Sequence, residues 1–109
     1  MKVSIITLTY NSEKTISRCL KSVSNQTYKN IEHIIIDGKS KDSTIQIINA
    51  HNKHSILVSE KDEGIYDAMN YGLKLSSGNI ITMINSGDIF TVNALDIVSK
   101  YFYKNSNLD

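Results

Sequence analysis

Acidic side chains recur where apolar runs stop. Ile80-Ile81-Thr82-Met83-Ile84 passes into Asn85-Ser86-Gly87-Asp88, the run from Ile31 to Ile36 passes into Asp37, and Ser55 to Ser59 passes into Glu60-Lys61-Asp62. Runs of this length and β-branched content read as strands, and the one before Asp88 as a strand covered on both faces. Each carboxylate then falls at the carboxyl end of its strand, the edge where open α/β sheets bind ligands. Mg²⁺ or Mn²⁺ is typically held by one or two carboxylates together with substrate phosphates and water. Asp88 is placed for that role. Asp37 could accept a hydrogen bond from a base N–H, and Tyr10, just past the first run, could pack on a base. Asn-Ser-Gly-Asp is also an ordinary turn-forming sequence, so the motif alone decides little.

The elements that position these residues alternate. Val3 to Leu8 is the first strand, broken by Thr9-Tyr10-Asn11-Ser12. Ile16, Cys19, Leu20 and Val23 then fall at helical spacing, on a helix expected to begin near Glu13 with Asn11 or Ser12 as its cap. After the second strand, Asp42-Ser43-Thr44 reads as a helix start with Asp42 as a candidate cap, and Ile45 and Ile48 carry an apolar stripe to about His51. From Ile65, the positions Ile65, Ala68, Met69, Gly72 and Leu73 form the clearest amphipathic helix. Gly72 on its apolar side suggests a close approach to the sheet, and Ser76-Ser77-Gly78 stops it. Val92, Leu95, Val98 and Phe102 mark a last helix. Four strands alternating with four helices predict an α/β fold with a parallel sheet, helices on both faces and right-handed crossovers. With strand order 3-2-1-4, the reversal lies between the first and fourth strands, and Thr9-Tyr10-Asn11, Asp37, Asp62 and Asp88 share one rim.

Composition narrows the classes. The 109 residues make one domain, 1–109, with 40% hydrophobic and 21% charged residues, an ordinary globular balance. A formal net charge of +1 gives no electrostatic case for a nucleic-acid partner. Cys19 is the single cysteine, which excludes an internal disulfide and suits a reducing cytoplasm; it is read as core. His33 stands without metal-ligand neighbours at useful spacing and is read as structural. His51 and His54 lie near a helix end, where positive charge is favoured. No stretch approaches the roughly 18 apolar residues of a membrane span, so any membrane contact is expected to be peripheral, at the inner face. The opening run reads as a strand rather than a signal peptide. G-x-x-x-x-G-K-S/T is absent, and the first strand-helix turn has no glycine where G-x-G-x-x-G needs three, which argues against a P-loop or a standard dinucleotide site.

At these residues the chain resembles glycosyltransferase family 2, inverting sugar-nucleotide-dependent enzymes of the GT-A fold. Val3 to Asn11 looks like the family's opening strand, whose end lines the uracil pocket. Ile35 to Thr44 resembles the D-D/G-G-S-T-D-x-T segment, which places Asp37 on the base-contacting aspartate. Glu60 to Gly72 is similar to the E-x-D-x-G-I-Y-D-A-M-N-x-G block of one subgroup, Ser77-Gly78 to its T/S-G, and Ile84-Asn85-Ser86-Gly87-Asp88 to the L-N-S/A-D/G-D metal motif. The resemblance implies a donor site binding a nucleotide-diphosphate sugar, most readily a UDP-sugar. Its nucleotide contacts come from Thr9, Tyr10, Asn11, Asp37, Asp62, Asn85, Ser86 and Gly87, with a divalent metal on Asp88. Asp67 and Asn70 are weaker candidates for lining the site. It further implies inverting transfer to a glycan or lipid-linked acceptor in polysaccharide or glycoconjugate synthesis.

Lys39 and Lys41 stand where the family usually has glycine or threonine, and Gly87 replaces the first aspartate of the commoner acidic pair. The family's catalytic base and acceptor site follow the metal motif. The base is therefore expected beyond Asp109, and the chain is expected to be a truncated product or a fragment carrying the donor half. The competing reading is a catalytically incomplete remnant acting as a binding or interaction module, for instance by pairing with another transferase subunit or as a homo-oligomer. A nucleotidyltransferase is disfavoured, because no glycine-rich basic loop follows the first strand.

Overall fold

The computed structural model describes residues 2–51, 54, 56–61 and 64–87, with the side chains of Ile65 and Tyr66 left aside. The chain runs β1 (Val3–Thr9), α1 (Ile16–Ser24), β2 (Ile31–Asp37), α2 (Thr44–His51), β3 (Ile56–Ser59), α3 (Ile65–Leu75) and β4 (Ile80–Asn85). All three strand pairings are parallel, and the order is β3-β2-β1-β4, as the alternation predicted. The last expected helix, Val92 to Phe102, lies outside the described residues.

β1 and β2 are central and almost wholly buried, which is why they are rich in isoleucine on both faces. One face packs Ile35 against Ile16, Leu20 and Ile48 of α1 and α2. The other packs Ile6, Ile34 and Ile36 against Ala68 of α3. Gly72 makes that second layer possible: a Cβ there would lie 2.5 Å from Ile6 Cγ2. The close approach expected of this glycine is therefore present.

Four local expectations are corrected. α1 begins at Ile16 rather than near Glu13, because the Ser12 carbonyl accepts from both Thr15 N and Ile16 N and holds residues 13–15 as a turn. Neither Asn11 nor Ser12 caps it; Thr15 is the N-cap and makes no side-chain cap bond. β4 is covered only in part by the described residues: Ile80 and Ile84 pack beside Val23 on one face and Met83 joins the Ala68 cluster on the other, but Ile81 is 43% exposed. Among the described residues it is an edge strand, and α3 lies mainly over β1 and β2. Leu73 is 42% exposed, since the face that meets the sheet runs through Ala68, Gly72 and Leu75. α3 ends at Leu75 with Ser76 as its C-cap in extended geometry, inside the expected Ser76-Ser77-Gly78 stop. Gly78 serves a close approach: a Cβ there would sit 2.6 Å from Ser4 Oγ.

Candidate functional site

The carboxyl ends of the strands form one rim, and the rim is sewn together by side chains that arrive from separate loops. Asn11 is the first stitch. Its backbone N–H donates to Ser40 Oγ (2.8 Å), and its side-chain oxygen accepts from Lys41 N (2.9 Å). Ser12 N donates to Thr44 Oγ1, Ser43 N to Glu13 Oε2, and Glu13 N to Asp42 Oδ2. Ser86 Oγ donates to Ser12 Oγ at 2.6 Å, tying the turn after β4 to the same loop across the β1–β4 reversal. Two non-glycine residues of these loops hold positive φ, Asn11 at 45° and Lys39 at 63°. Lys39 occupies the position where the resembled motif carries glycine, and the backbone shows why glycine suits it.

Asp42 braces the start of α2 from the loop before it. Its Oδ1 accepts from Thr44 N and Thr44 Oγ1 at the start of α2. Partial desolvation pushes its pKa up, but the bonds from Thr44 and from Glu13 N outweigh this and hold it below the ordinary value.

Asp37 sits where β2 ends and is fully buried. Oδ1 accepts from Thr9 Oγ1 (2.5 Å) and Ser40 Oγ (2.6 Å), while Oδ2 accepts from Ser40 N (2.7 Å) and Ser59 Oγ (2.9 Å). A carboxylate has about four acceptor directions. All are filled. The side chain faces inward, clasping the ends of β1, β2 and β3. Pairwise matching of motifs does not reveal this, because Thr9 and Ser59 approach from other strands.

Beside this clasp lies a cavity of about 480 Å³, lined by Leu8, Thr9, Tyr10 and Ser12 from β1 and its loop, Ile36 of β2 and Gly38 just past it, Lys61 after β3, Ala68 of α3, and Asn85 and Ser86 at the end of β4. That volume is within the range of small-molecule sites. Of the expected contacts, Thr9, Tyr10, Asn85 and Ser86 meet here. Tyr10 is 59% exposed, its ring unburied at the mouth. Gly87 is exposed in the turn that follows β4. Asn11 does not line the cavity; it braces the loops. Asp67 borders a much smaller recess with Asp37, Glu60 and Lys61, and Asn70 is on the exposed face of α3. Asp62 and Asp88, the expected metal ligand, lie outside the described residues. Among the described residues no group of three His, Cys, Asp or Glu could hold a metal. Lys61 and Ser12 are lining residues that the motif reading missed. Lys61 is a variable position of its block, and only its place beside Tyr10 and Gly38 marks it.

His33 is buried, with Nε2 2.7 Å from Thr7 Oγ1, as befits a structural residue. Burial, with a smaller contribution from His54, lowers its pKa to about 4.

A parallel 3-2-1-4 sheet with a cavity at its switch point defines the nucleotide-binding half of a GT-A fold. The chain matches Glycosyl transferase family 2 over residues 4–108 and belongs to that family. It is 36% identical over 106 residues to the UDP-Glc:alpha-D-GlcNAc-diphosphoundecaprenol beta-1,3-glucosyltransferase WfgD of Escherichia coli, covering 95% of this chain and 42% of the relative. Among solved structures, S. aureus TarS in complex with UDP-GlcNAc superimposes with a TM-score of 0.89 at 28% identity, over 97% of this chain and 32% of TarS. Glucosyl-3-phosphoglycerate synthase of Mycobacterium tuberculosis, in complex with Mn²⁺, UDP and glucosyl-3-phosphoglycerate, gives 0.68 at 26% identity, over 78% of this chain and 33% of that one. The chain thus spans well under half the length of each.

Proposed function

We propose that this chain binds the donor of a glycosyltransferase, a UDP-sugar, in the cavity at the β1–β4 reversal. The observation that carries the reading is that Thr9 and Tyr10 line the same cavity as Asn85 and Ser86, about 75 positions further along the chain, although each pair belongs to a different motif block. The complexes of TarS with UDP-GlcNAc and of the mycobacterial synthase with UDP and Mn²⁺ support it.

In this reading the base lies against Tyr10, over the floor made by Leu8, Ile36 and Ala68. Lys61 and Gly38 stand at the base end and Asn85-Ser86-Gly87 at the diphosphate end. Asp37 is a positioning residue that fixes Thr9 and Ser40; a base N–H reaches its carboxylate only after Ser40 or Ser59 turns away. Asp62 is assigned to the nucleotide and Asp88 to a divalent cation, Mn²⁺ or Mg²⁺. Such an ion, when bound, neutralises the departing diphosphate. The reaction assigned to the whole protein is a single inverting displacement at the anomeric carbon, with a glycan or lipid-linked acceptor, in the cytoplasm. The acceptor and the base are assigned to none of the described residues.

Calorimetry with UDP and Mn²⁺ tests the proposal. Binding that requires both is expected, and absence of heat with any nucleoside diphosphate refutes it. Tyr10→Ala is expected to weaken UDP by about 5- to 100-fold, the usual worth of a base stacked on an aromatic ring. An interaction-module reading is favoured by the exposed Tyr71, Leu73 and Ile81. Oligomers on size-exclusion chromatography without nucleotide binding would select it.

A further inference from the structure

The exposed side of α1 carries charge of one sign. Arg18 and Lys21 are exposed on α1 and Lys14 is exposed in the turn just before it, while Ile16, Cys19, Leu20 and Val23 occupy the buried side of the helix. The stripe extends past the start of the helix. The loop bearing the exposed Lys39 and Lys41 is stitched to the loop before α1 by Lys41 N donating to Asn11 Oδ1 and by Asn11 N donating to Ser40 Oγ. α1 and α2 lie side by side on one face of the sheet, and the exposed Gln46, Asn49 and Ala50 of α2 add no charge.

Acidic compensation on this face is small. Glu13 and Asp42 are the acids within it, and both have carboxylate oxygens committed to backbone N–H groups. Among the described residues the ion pair found joins Lys2 to Glu32, well away from the stripe, so none of the five cations is paired. Ordinary solvated helix faces intersperse both signs. A chain of net charge +1 has instead placed three exposed cations on and just before α1 and two more on the loop stitched to it, while Glu60 and Asp67 stand on the side of α3.

We propose that this face docks on an anionic phospholipid surface. Clusters of four to eight Lys and Arg on one face suit negatively charged headgroups. The surface is a convex helix flank. The described residues offer it no aromatic platform of the kind that single-stranded nucleic acid stacks on: Tyr10 belongs to the cavity mouth and Tyr28 packs on the core. The inference goes beyond the donor-site reading and does not depend on it, since none of the five cations lines the cavity. It would hold the rim, with Lys39 and Lys41 at its border, close to the bilayer.

Co-sedimentation of the chain with vesicles tests it. At about 50 mM salt, binding to vesicles of equal parts phosphatidylcholine and phosphatidylglycerol is expected, none to phosphatidylcholine alone, and loss of binding at about 500 mM. The triple variant Lys14→Gln, Arg18→Gln, Lys21→Gln is expected to bind about 100-fold more weakly, at roughly fivefold per charge, with its melting curve and UDP titration unchanged. Lys41→Gln, on the loop, provides a second variant with an expected loss of about fivefold. Retained binding in both variants, equal binding to neutral vesicles, or no binding at low salt overturns the proposal. So does tighter binding of a single-stranded RNA than of the anionic vesicles at matched salt.

Discussion

β2 carries a buried carboxylate at each end, and the two are held in different ways. Asp37, at the carboxyl edge, is fully buried and takes only neutral donors, from Thr9, Ser40 and Ser59. Glu32, at the amino edge, accepts from Ser4 Oγ (2.7 Å) and Ser77 N (2.9 Å) and has Lys2 Nζ 3.6 Å away. Gly78 N donates to the same Ser4 Oγ, so this clasp fixes the α3–β4 connection beneath the sheet. One clasp shapes the rim and the other closes the fold. The upper cage is made of three hydroxyls and one backbone N–H, whereas the lower one also holds a lysine.

The difference can be broken experimentally. Asp37→Ala is expected to cost the most, about 3–5 kcal/mol, because Ser40 N and three hydroxyls lose their acceptor in a buried place. Denaturant unfolding measures this, and a cost below about 1 kcal/mol would show that the clasp is not structural. Nucleotide affinity should fall with it.

His33, between the two clasps, makes the fold acid-sensitive. Its folded pKa of about 4 lies below the unfolded value of 6.5, so from 6.5 down to 4 the unfolded chain binds the proton and the native one does not. Stability is complete above pH 6.5 and declines toward pH 4, by on the order of 3 kcal/mol. His33→Gln should flatten the unfolding free energy across that window.

Glu32→Ala is expected to cost about 2 kcal/mol while leaving UDP affinity unchanged, in contrast to Asp37→Ala. The Ser4 hydroxyl, foremost, and Ser77 hold the Glu32 pKa below its ordinary 4.5 against the opposing effect of burial. Its contribution is therefore present above pH 4.5 and lost as pH falls through the depressed value. Equal losses of UDP affinity in the Glu32 and Asp37 variants would erase the distinction between the two edges. The smallest effect is Lys39→Gly, expected to raise stability by about 0.5 kcal/mol by relieving a φ of 63°, since glycine's greater freedom when unfolded offsets part of the gain. A thermal melt that drops would show that the lysine side chain itself contributes.

The alternation of apolar runs with helical spacing determined the element order, the parallel sheet and the rim, because hydrophobic periodicity and crossover handedness are local and general constraints. Ile16, Cys19, Leu20 and Val23 were legible as a buried face for the same reason. Tertiary structure alone decided that Asp37 turns inward, that Asn11 and Ser12 stitch loops instead of capping α1, and that Leu73 and Ile81 stay exposed. Those outcomes depend on which groups arrive from distant strands. Thr9 and Ser59 reach Asp37 across 28 and 22 positions of sequence, and a carboxylate's orientation follows the donors that surround it, which no local spacing encodes.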